Sequence, residues 1–492
     1  MKKRLILLAK ASAVLIVAGA FIFSAVYFAV LIPAKRTMSL FDENGKYALE
    51  DQAYTVYGET YYAALITKYD RMKSVTGPKL IVVGGSNIAF GFDSALAESE
   101  LGIPCINLGL YAALGFDYML DLALDGAGEG DIILIIPETD GQMYSDYFGA
   151  DAILRATEGR TDMRCLADES DRYLLASAYP AYFEEKQSYI SQEKTAPASG
   201  VYASASFNER GDMIFDRPEN IMDGYYKSDA LPVFDTSIIT DTFADMVNGF
   251  VHAAENLGAT VYFGFPPINS LAAADTTEEQ LDLFCRTLEE KLDCRVISSL
   301  SDRLLAPGYF YDSNYHCNNL GMIVNTALII TDILRQSGDM HALSFDIPDA
   351  PEIADDPVSD IMEENGYFYT KSASGITITG LTDEKLVSDT LELPSEISGF
   401  AVTKLADGAF AGCSASLIII PDGIRTLGGS LFDGAKNLRT VELHQTSLPA
   451  VGDMLLSGAP EDILLKVNAD MYDTYLMDYF WMGYKDHIIK EN

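Results

Sequence analysis

The chain has 492 residues, 49% of them hydrophobic, which is enough for two or three separately packed domains. Its 34 basic residues stand against 72 acidic ones, and a formal charge of −38 repels nucleic-acid phosphates and argues against a DNA or RNA partner. Six cysteines with no Cys-x-x-Cys pair argue against a zinc or iron–sulfur centre and are too sparse for a disulfide scaffold. Buried free thiols are the expectation, with Cys285–Cys294 as the alternative pairing; no metal and no cofactor are expected.

Residues 1–10 carry Lys2, Lys3, Arg4 and Lys10, and residues 11–32 carry no charge at all. At about 1.5 Å per helical residue that run spans a ~30 Å hydrocarbon core. Lys35 and Arg36 follow, so the basic excess lies on the N-terminal side and places it in the cytoplasm. The run is too long for a typical signal peptide, and no Ala-x-Ala site follows. Residues 1–36 are therefore expected to be a cytoplasmic stub and a retained single-pass anchor in the cell membrane, with the bulk of the chain extracellular. Residues 37–76 form a juxtamembrane segment with a helix near Tyr61 to Ser74.

From residue 77 to 339 strand-like and helix-like stretches alternate. The strands are Leu80–Val83, Pro104–Leu108, Asp131–Ile136, Thr260–Phe265 and Arg295–Ser298. Helical patterns fall near Ser94–Leu101, Phe116–Ala127, Ile239–Leu257, Thr277–Leu292 and Asn319–Arg335. This alternation predicts an α/β domain, a parallel sheet with helices on both faces. Residues 141–237 interrupt it with an aromatic-rich insertion, read as a lid, a substrate wall or a helical ornament. Residues 340–366 are acidic and proline-bearing, a linker.

The texture changes again over 367–492. Gly408-Ala409-Phe410-Ala411-Gly412-Cys413 is echoed by Ser430-Leu431-Phe432-Asp433-Gly434-Ala435 and, more weakly, by Met454-Leu455-Leu456-Ser457-Gly458-Ala459. An apolar run follows each. A period in the twenties predicts a short solenoid with one strand per repeat. The Ala-Phe-x-Gly-Cys and Pro-x-x-Ile pieces resemble leucine-rich repeats of the BspA type, found on bacterial surfaces. A protein or glycan ligand of the repeats is the corresponding expectation.

Chemistry concentrates in the α/β part. Lys79-Leu80-Ile81-Val82-Val83-Gly84-Gly85-Ser86 reads as a buried strand ending in a glycine turn, which lifts the Ser86 hydroxyl to the C-terminal sheet edge. Helix is expected to resume only after Asp93 or Ser94. A serine nucleophile needs a base. Of five histidines, His316 alone sits in a suitable loop, Tyr311-Asp312-Ser313-Asn314-Tyr315-His316, with Asp312 four residues earlier. Asp312 or Ser313 is the candidate partner of His316. Asn107-Leu108-Gly109 ends the second strand at the same edge, so the Ser86 and Gly109 N–H groups, with the Asn107 or Asn87 side chain, are candidate oxyanion donors. Glu138 and Asp140 follow the third strand, as substrate-binding or capping groups.

The Gly-x-Ser loop, the Asn-x-Gly stretch and the Asp…His-x-Asn-x-x-Gly segment together resemble the SGNH/GDSL hydrolase superfamily over about residues 77–337. The resemblance implies a flavodoxin-like three-layer α/β/α fold, with Ser86 as nucleophile, His316 as base, Asp312 as its partner and Gly109 as an oxyanion donor. Three departures stand out. Gly-Asp-Ser is Gly-Gly-Ser here, the acid precedes the histidine by four residues rather than three, and the third-block asparagine is replaced by Pro137-Glu138-Thr139-Asp140. By analogy with anchored, outward-facing members, the expected activity is ester hydrolysis or O-acyl transfer on a cell-envelope glycan or another acylated polymer. The competing expectation is a surface-binding protein whose repeats hold the ligand and whose α/β domain is inactive.

Overall fold

The computed structural model describes residues 54–222, 230–351, 361–372, 375–452, 454–478 and 481–491. The proposed anchor at 11–32 lies outside them. Among the described residues no helix is long and apolar enough to cross a membrane.

The protein is an α/β protein with parallel sheets. Strands β1 (Leu80–Gly84), β2 (Cys105–Gly109), β3 (Ile132–Ile136) and β4 (Thr260–Phe263) lie in one sheet, while β5 (Ile268–Asn269) pairs elsewhere. The sheet ends with β6 (Arg295–Val296), in the order β2-β1-β3-β4-β6, and β5 pairs with β7 (Leu304–Leu305). All its pairings are parallel. The β1 side chains alternate between two cores, as the period of two along a strand requires. Ile81 and Val83 join one apolar cluster, and Leu80 and Val82 join another on the opposite face with Ile329, Ile330 and Ile333. The chain leaves β1 to one side and returns to the other, so the crevice at the ends of β1 and β3 is a topological switch point. In register, Gly84 pairs with both Gly109 and Ile136. The segments following β1, β2 and β3 therefore emerge together at one edge.

One helix boundary differs from the sequence expectation. A buried helix, Ser86–Gly91, begins at the serine itself, and only then comes Ser94–Leu101. Asp93 caps the second helix, accepting from the Leu96 N–H at 2.9 Å, as its residue type predicts. The first helix has no side-chain cap and no periodic pattern, because every one of its residues is buried. All six cysteines are free; Cys165 is exposed and Cys285 half-buried, so no 285–294 bridge forms and not every thiol is interior.

The insertion contributes the helices Ala150–Ala156, Thr161–Arg164 and Glu169–Ser191. It grips the segment before β1 through Glu158, whose carboxylate accepts the Val56 and Tyr57 N–H groups at 2.8 Å and pairs with buried Lys186. Nearby, Asp117 and Asp121 of the helix Phe116–Gly126 face Asp168 and Asp171. Burial, then these neighbouring charges, push the Asp121 carboxyl from 3.8 to about 7. The folded chain holds this proton more tightly than the unfolded one, so the site costs stability progressively as pH rises from about 4 to 7 and fully above that. Asp121→Asn should raise the thermal midpoint at pH 8, with the gain shrinking toward zero near pH 4. Melting curves across that range check it.

The repeats form two sheets rather than one. Thr390–Glu392, Leu417–Ile420, Thr440–Leu443, Leu464–Val467 and Ile488–Lys490 stack in parallel on one side. Phe400–Leu405, Thr426–Leu427 and Ala450–Val451 stack in parallel on the other. Each turn thus supplies two short strands, and Thr426–Leu427 and Ala450–Val451, two residues each, are too short to show as apolar runs. Phe410 and Phe432, from successive echoes of the motif, stack at 6.3 Å inside. The helix Tyr472–Met477 and Trp481 close the end, with Tyr475 and Trp481 fully buried.

Candidate active site

Ser86 sits at the C-terminal end of β1 as the first residue of its helix, 7% exposed. His316 comes from the loop before the helix Asn319–Ser337. That loop is closed by the Tyr311 N–H donating to the His316 carbonyl at 2.8 Å and by the Asn318 N–H donating to Tyr309 at 2.8 Å. Asn318 caps the helix, accepting from Leu320 and Gly321 N–H, while its amide donates to the Gly308 carbonyl at 2.7 Å. Gly321 is needed because a Cβ there would strike the Tyr309 backbone. The His-x-Asn-x-x-Gly pattern is thus a loop lock that fixes where His316 stands.

The structure brings Ser86, His316 and Asp312 into one chain. His316 Nε2 lies 2.7 Å from Ser86 Oγ, and His316 Nδ1 lies 2.7 Å from Asp312 Oδ1. Ser313 is not the partner; its hydroxyl accepts from the Tyr315 N–H instead. The imidazole stacks on Phe90, 4.0 Å between centroids and 10° from parallel. That arrangement has the base–nucleophile and base–orienter distances of a serine triad.

Glu138 stands on the other side of the serine. Its Oε1 lies 3.0 Å from Ser86 Oγ and accepts from the Asn87 N–H at 2.8 Å. A Cβ on Gly85 would come within 2.8 Å of the same oxygen and 3.3 Å of the Ala112 nitrogen. The Gly-Gly-Ser departure and the glutamate in the third block are therefore one feature, since an aspartate at 85 would collide with this carboxyl. Asp140 is not in the site. It caps the next turn, accepting from the Gln142 and Met143 N–H groups at 2.8 Å, and burial beside Glu138 pushes its carboxyl up to about 6.

Of the expected oxyanion donors, Gly109, Asn107 and Asn87 are engaged elsewhere. The Gly109 N–H donates to Asn107 Oδ1 at 3.2 Å, and Gly109 is packed against Ile88 and Ala89 of the Ser86 helix. Asn107 belongs to a buried network, where its amide donates to Phe92 O at 2.9 Å and its oxygen accepts from Lys68 at 3.1 Å. The Asn87 amide donates to the Ile136 carbonyl, tying the helix to β3. The N–H groups of Ser86 and Ala112 make no hydrogen bond among the described residues, and the Ala112 nitrogen borders the Gly85–Glu138 space.

Two residues of the insertion, neither carrying a motif, support the Ser86–His316–Asp312 chain, one by direct contact and one through its neighbours. The Tyr202 hydroxyl donates to Asp312 Oδ2 at 2.8 Å, leaving Oδ1 for the imidazole. Fully buried Arg217 lies 5.2 Å from the Phe90 ring centroid and donates to the Phe90 and Cys317 carbonyls at 3.1 and 2.6 Å. It thereby pins the serine helix to the histidine loop. A hydrogen bond to a charged acceptor contributes about 1.5–3 kcal/mol. Tyr202→Phe should therefore lower kcat for an ester substrate about tenfold with KM unchanged, measured by steady-state kinetics.

No family model and no curated protein matches the sequence. Among solved structures, the chain is similar to protein YxiM from Bacillus subtilis, at 12% identity and a TM-score of 0.26, over 54% of this chain and 58% of that one. It is also similar to a leucine-rich cell surface protein from Faecalibacterium prausnitzii A2-165, at 14% identity and a TM-score of 0.17, over 27% and 30%. The chain thus spans less than two thirds of the length of either. It is an α/β protein with parallel sheets and a distant likeness to each of these two structures.

Proposed function

We propose that the chain is a serine ester hydrolase or O-acyltransferase of the SGNH type, anchored in the cell membrane and acting on acyl groups of a cell-envelope polysaccharide. The Ser86–His316–Asp312 chain, with both links at 2.7 Å, carries the proposal. In this reading Ser86 Oγ attacks the acyl carbonyl and His316 Nε2 takes its proton. Asp312, held by Tyr202, keeps Nδ1–H directed and stabilises the imidazolium. The Ser86 and Ala112 N–H groups receive the developing oxyanion.

Glu138 orients the serine from the side opposite His316, accepting from the Ser86 hydroxyl at 3.0 Å and from the Asn87 N–H at 2.8 Å. The single hydroxyl proton is held by Oε1 or given to Nε2, and only the second arrangement activates the nucleophile. Glu138 thus stands where the family pattern has an asparagine amide, as an acceptor rather than a donor. An extracellular position and an acyl glycan follow from the sequence of residues 1–36 and from the family analogy. The test is labelling of the full-length protein in detergent by a fluorophosphonate. Labelling that Ser86→Ala and His316→Ala both remove supports the reading. An unlabelled wild type returns function to the repeats as a binding surface.

A further inference from the structure

A shallow cleft opens where the repeat array meets the α/β domain. Tyr61, Tyr62, Tyr111 and Tyr202 line one side, and Thr474 and Asp478, from the segment that caps the repeats, line the other. The rings form a continuous patch: Tyr111 lies 4.5 Å from Tyr61 and 5.4 Å from Tyr62, and Tyr202 lies 5.6 Å from Tyr61. The patch is one residue layer from the chemistry. Tyr202 holds Asp312, and Tyr111 precedes Ala112, whose nitrogen borders the Gly85–Glu138 space.

We infer that this cleft is the acceptor subsite, that its ligand is a neutral or amine-bearing oligosaccharide, and that the cap of the repeats forms one wall of it. The inference rests on the serine-acyl reading above. Tyr61 and Tyr62 are buried and back the patch, and the half-buried Tyr111 and Tyr202 present ring surface to the C–H faces of sugar rings, while the threonine and carboxylate groups at the rim match sugar hydroxyls and amines. Charge selects further. Asp312 and Glu138 act on Tyr61, and Asp478 and Glu185 act on Tyr62; the cations among these neighbours are Arg217, which donates to the Phe90 and Cys317 carbonyls, and Arg155, which is paired with Glu185. With a formal charge of −38 behind them, these groups disfavour a polyanionic chain. The repeats are then a part of the substrate site, not a separate adhesin.

The test is calorimetric titration of the full-length Ser86→Ala chain in detergent, so that binding is read without turnover. The probes are a chitosan tetrasaccharide, cellotetraose and tetragalacturonate. The chain has one tryptophan, Trp481, whose N–H groups donate to Asp478 and to the Pro449 carbonyl beside the cleft, so its emission is a second reporter. Binding of the chitosan or cello-oligosaccharide, weakened at least tenfold by adding Thr474→Tyr to fill the cleft, is expected. Circular dichroism of the Thr474→Tyr chain checks that the cap is folded, and Ser199→Tyr fills the same cleft from the other domain. Binding unchanged in both filled variants, preference for tetragalacturonate, or no binding of any probe would overturn the inference. Sugar binding that depends on Thr474 in a chain whose wild type fails to label with fluorophosphonate would sink the serine reading and leave the subsite standing.

Discussion

Ser86→Ala is expected to reduce hydrolysis of p-nitrophenyl acetate by about 10⁴-fold or more, ~5.4 kcal/mol of transition-state stabilisation. The size follows from the geometry. With Oγ gone, neither His316 nor Asp312 has a nucleophile to serve, and the residual rate is that of water against whatever the Ser86 and Ala112 N–H groups can polarise. His316→Ala should cost a similar factor, because the hydroxyl loses its base at 2.7 Å. The double variant should be no worse than either single one, since the residues act as a unit. Additive losses would show that the two side chains do not share a step. Steady-state rates of the three full-length variants, each checked for an unchanged thermal midpoint, decide the matter. Burial of Ser86 at 7% makes the alanine variant well tolerated, since one hydroxyl leaves without opening a large cavity.

The second large effect is at Glu138, where two substitutions separate its roles. Glu138→Ala removes the group that accepts from Asn87 and contacts Ser86. It should lower kcat by about 10–10²-fold, the loss expected for one hydrogen bond to a carboxylate. Glu138→Gln keeps the shape and one acceptor oxygen. It should retain kcat within about tenfold of the wild type. A glutamine variant as poor as the alanine one would show that the carboxylate charge, rather than an acceptor oxygen at that place, is what the site needs. Gly85→Asp provides a cross-check. With Glu138 in place its side chain meets the Oε1 oxygen, so it should be inactive and destabilised, and Glu138→Asn in the same chain should restore part of the activity. Failure of that rescue would separate the two departures that the structure joins.

Much of this protein is legible in its residues. The β-branched runs at 80–84 and 132–136 are buried on both faces, so composition alone marks them as interior parallel strands. Loop-borne His316 and the glycine turn before Ser86 stand out because such residues rarely lie together by chance in a chain with five histidines. Period alone announces the repeats, since each turn must present the same apolar face to its neighbour.

Other features have no local signature. A helix that starts at Ser86 is buried all round, so it shows no amphipathic period. Gly109 and Asn107 follow the expected spacing, yet the Gly109 N–H is spent on the Asn107 side chain, and only the packing of the serine helix against β2 reveals this. Tyr202 reaches the triad, and Arg217 its neighbours, from an insertion more than ninety positions away from His316 in sequence, and one aromatic or one arginine among many carries no spacing to read. The partnership of Gly85 with Glu138, 2.8 Å apart by an added Cβ, joins two separate departures from a motif that look unrelated along the chain. Sequence by itself determined the strands, the glycine–serine turn, the histidine loop and the repeats, because each depends on local residue type and period. Which carboxylate meets the base, which N–H groups face the site and which domain walls the cleft were decided only by tertiary structure, because these contacts join segments that the fold alone brings together.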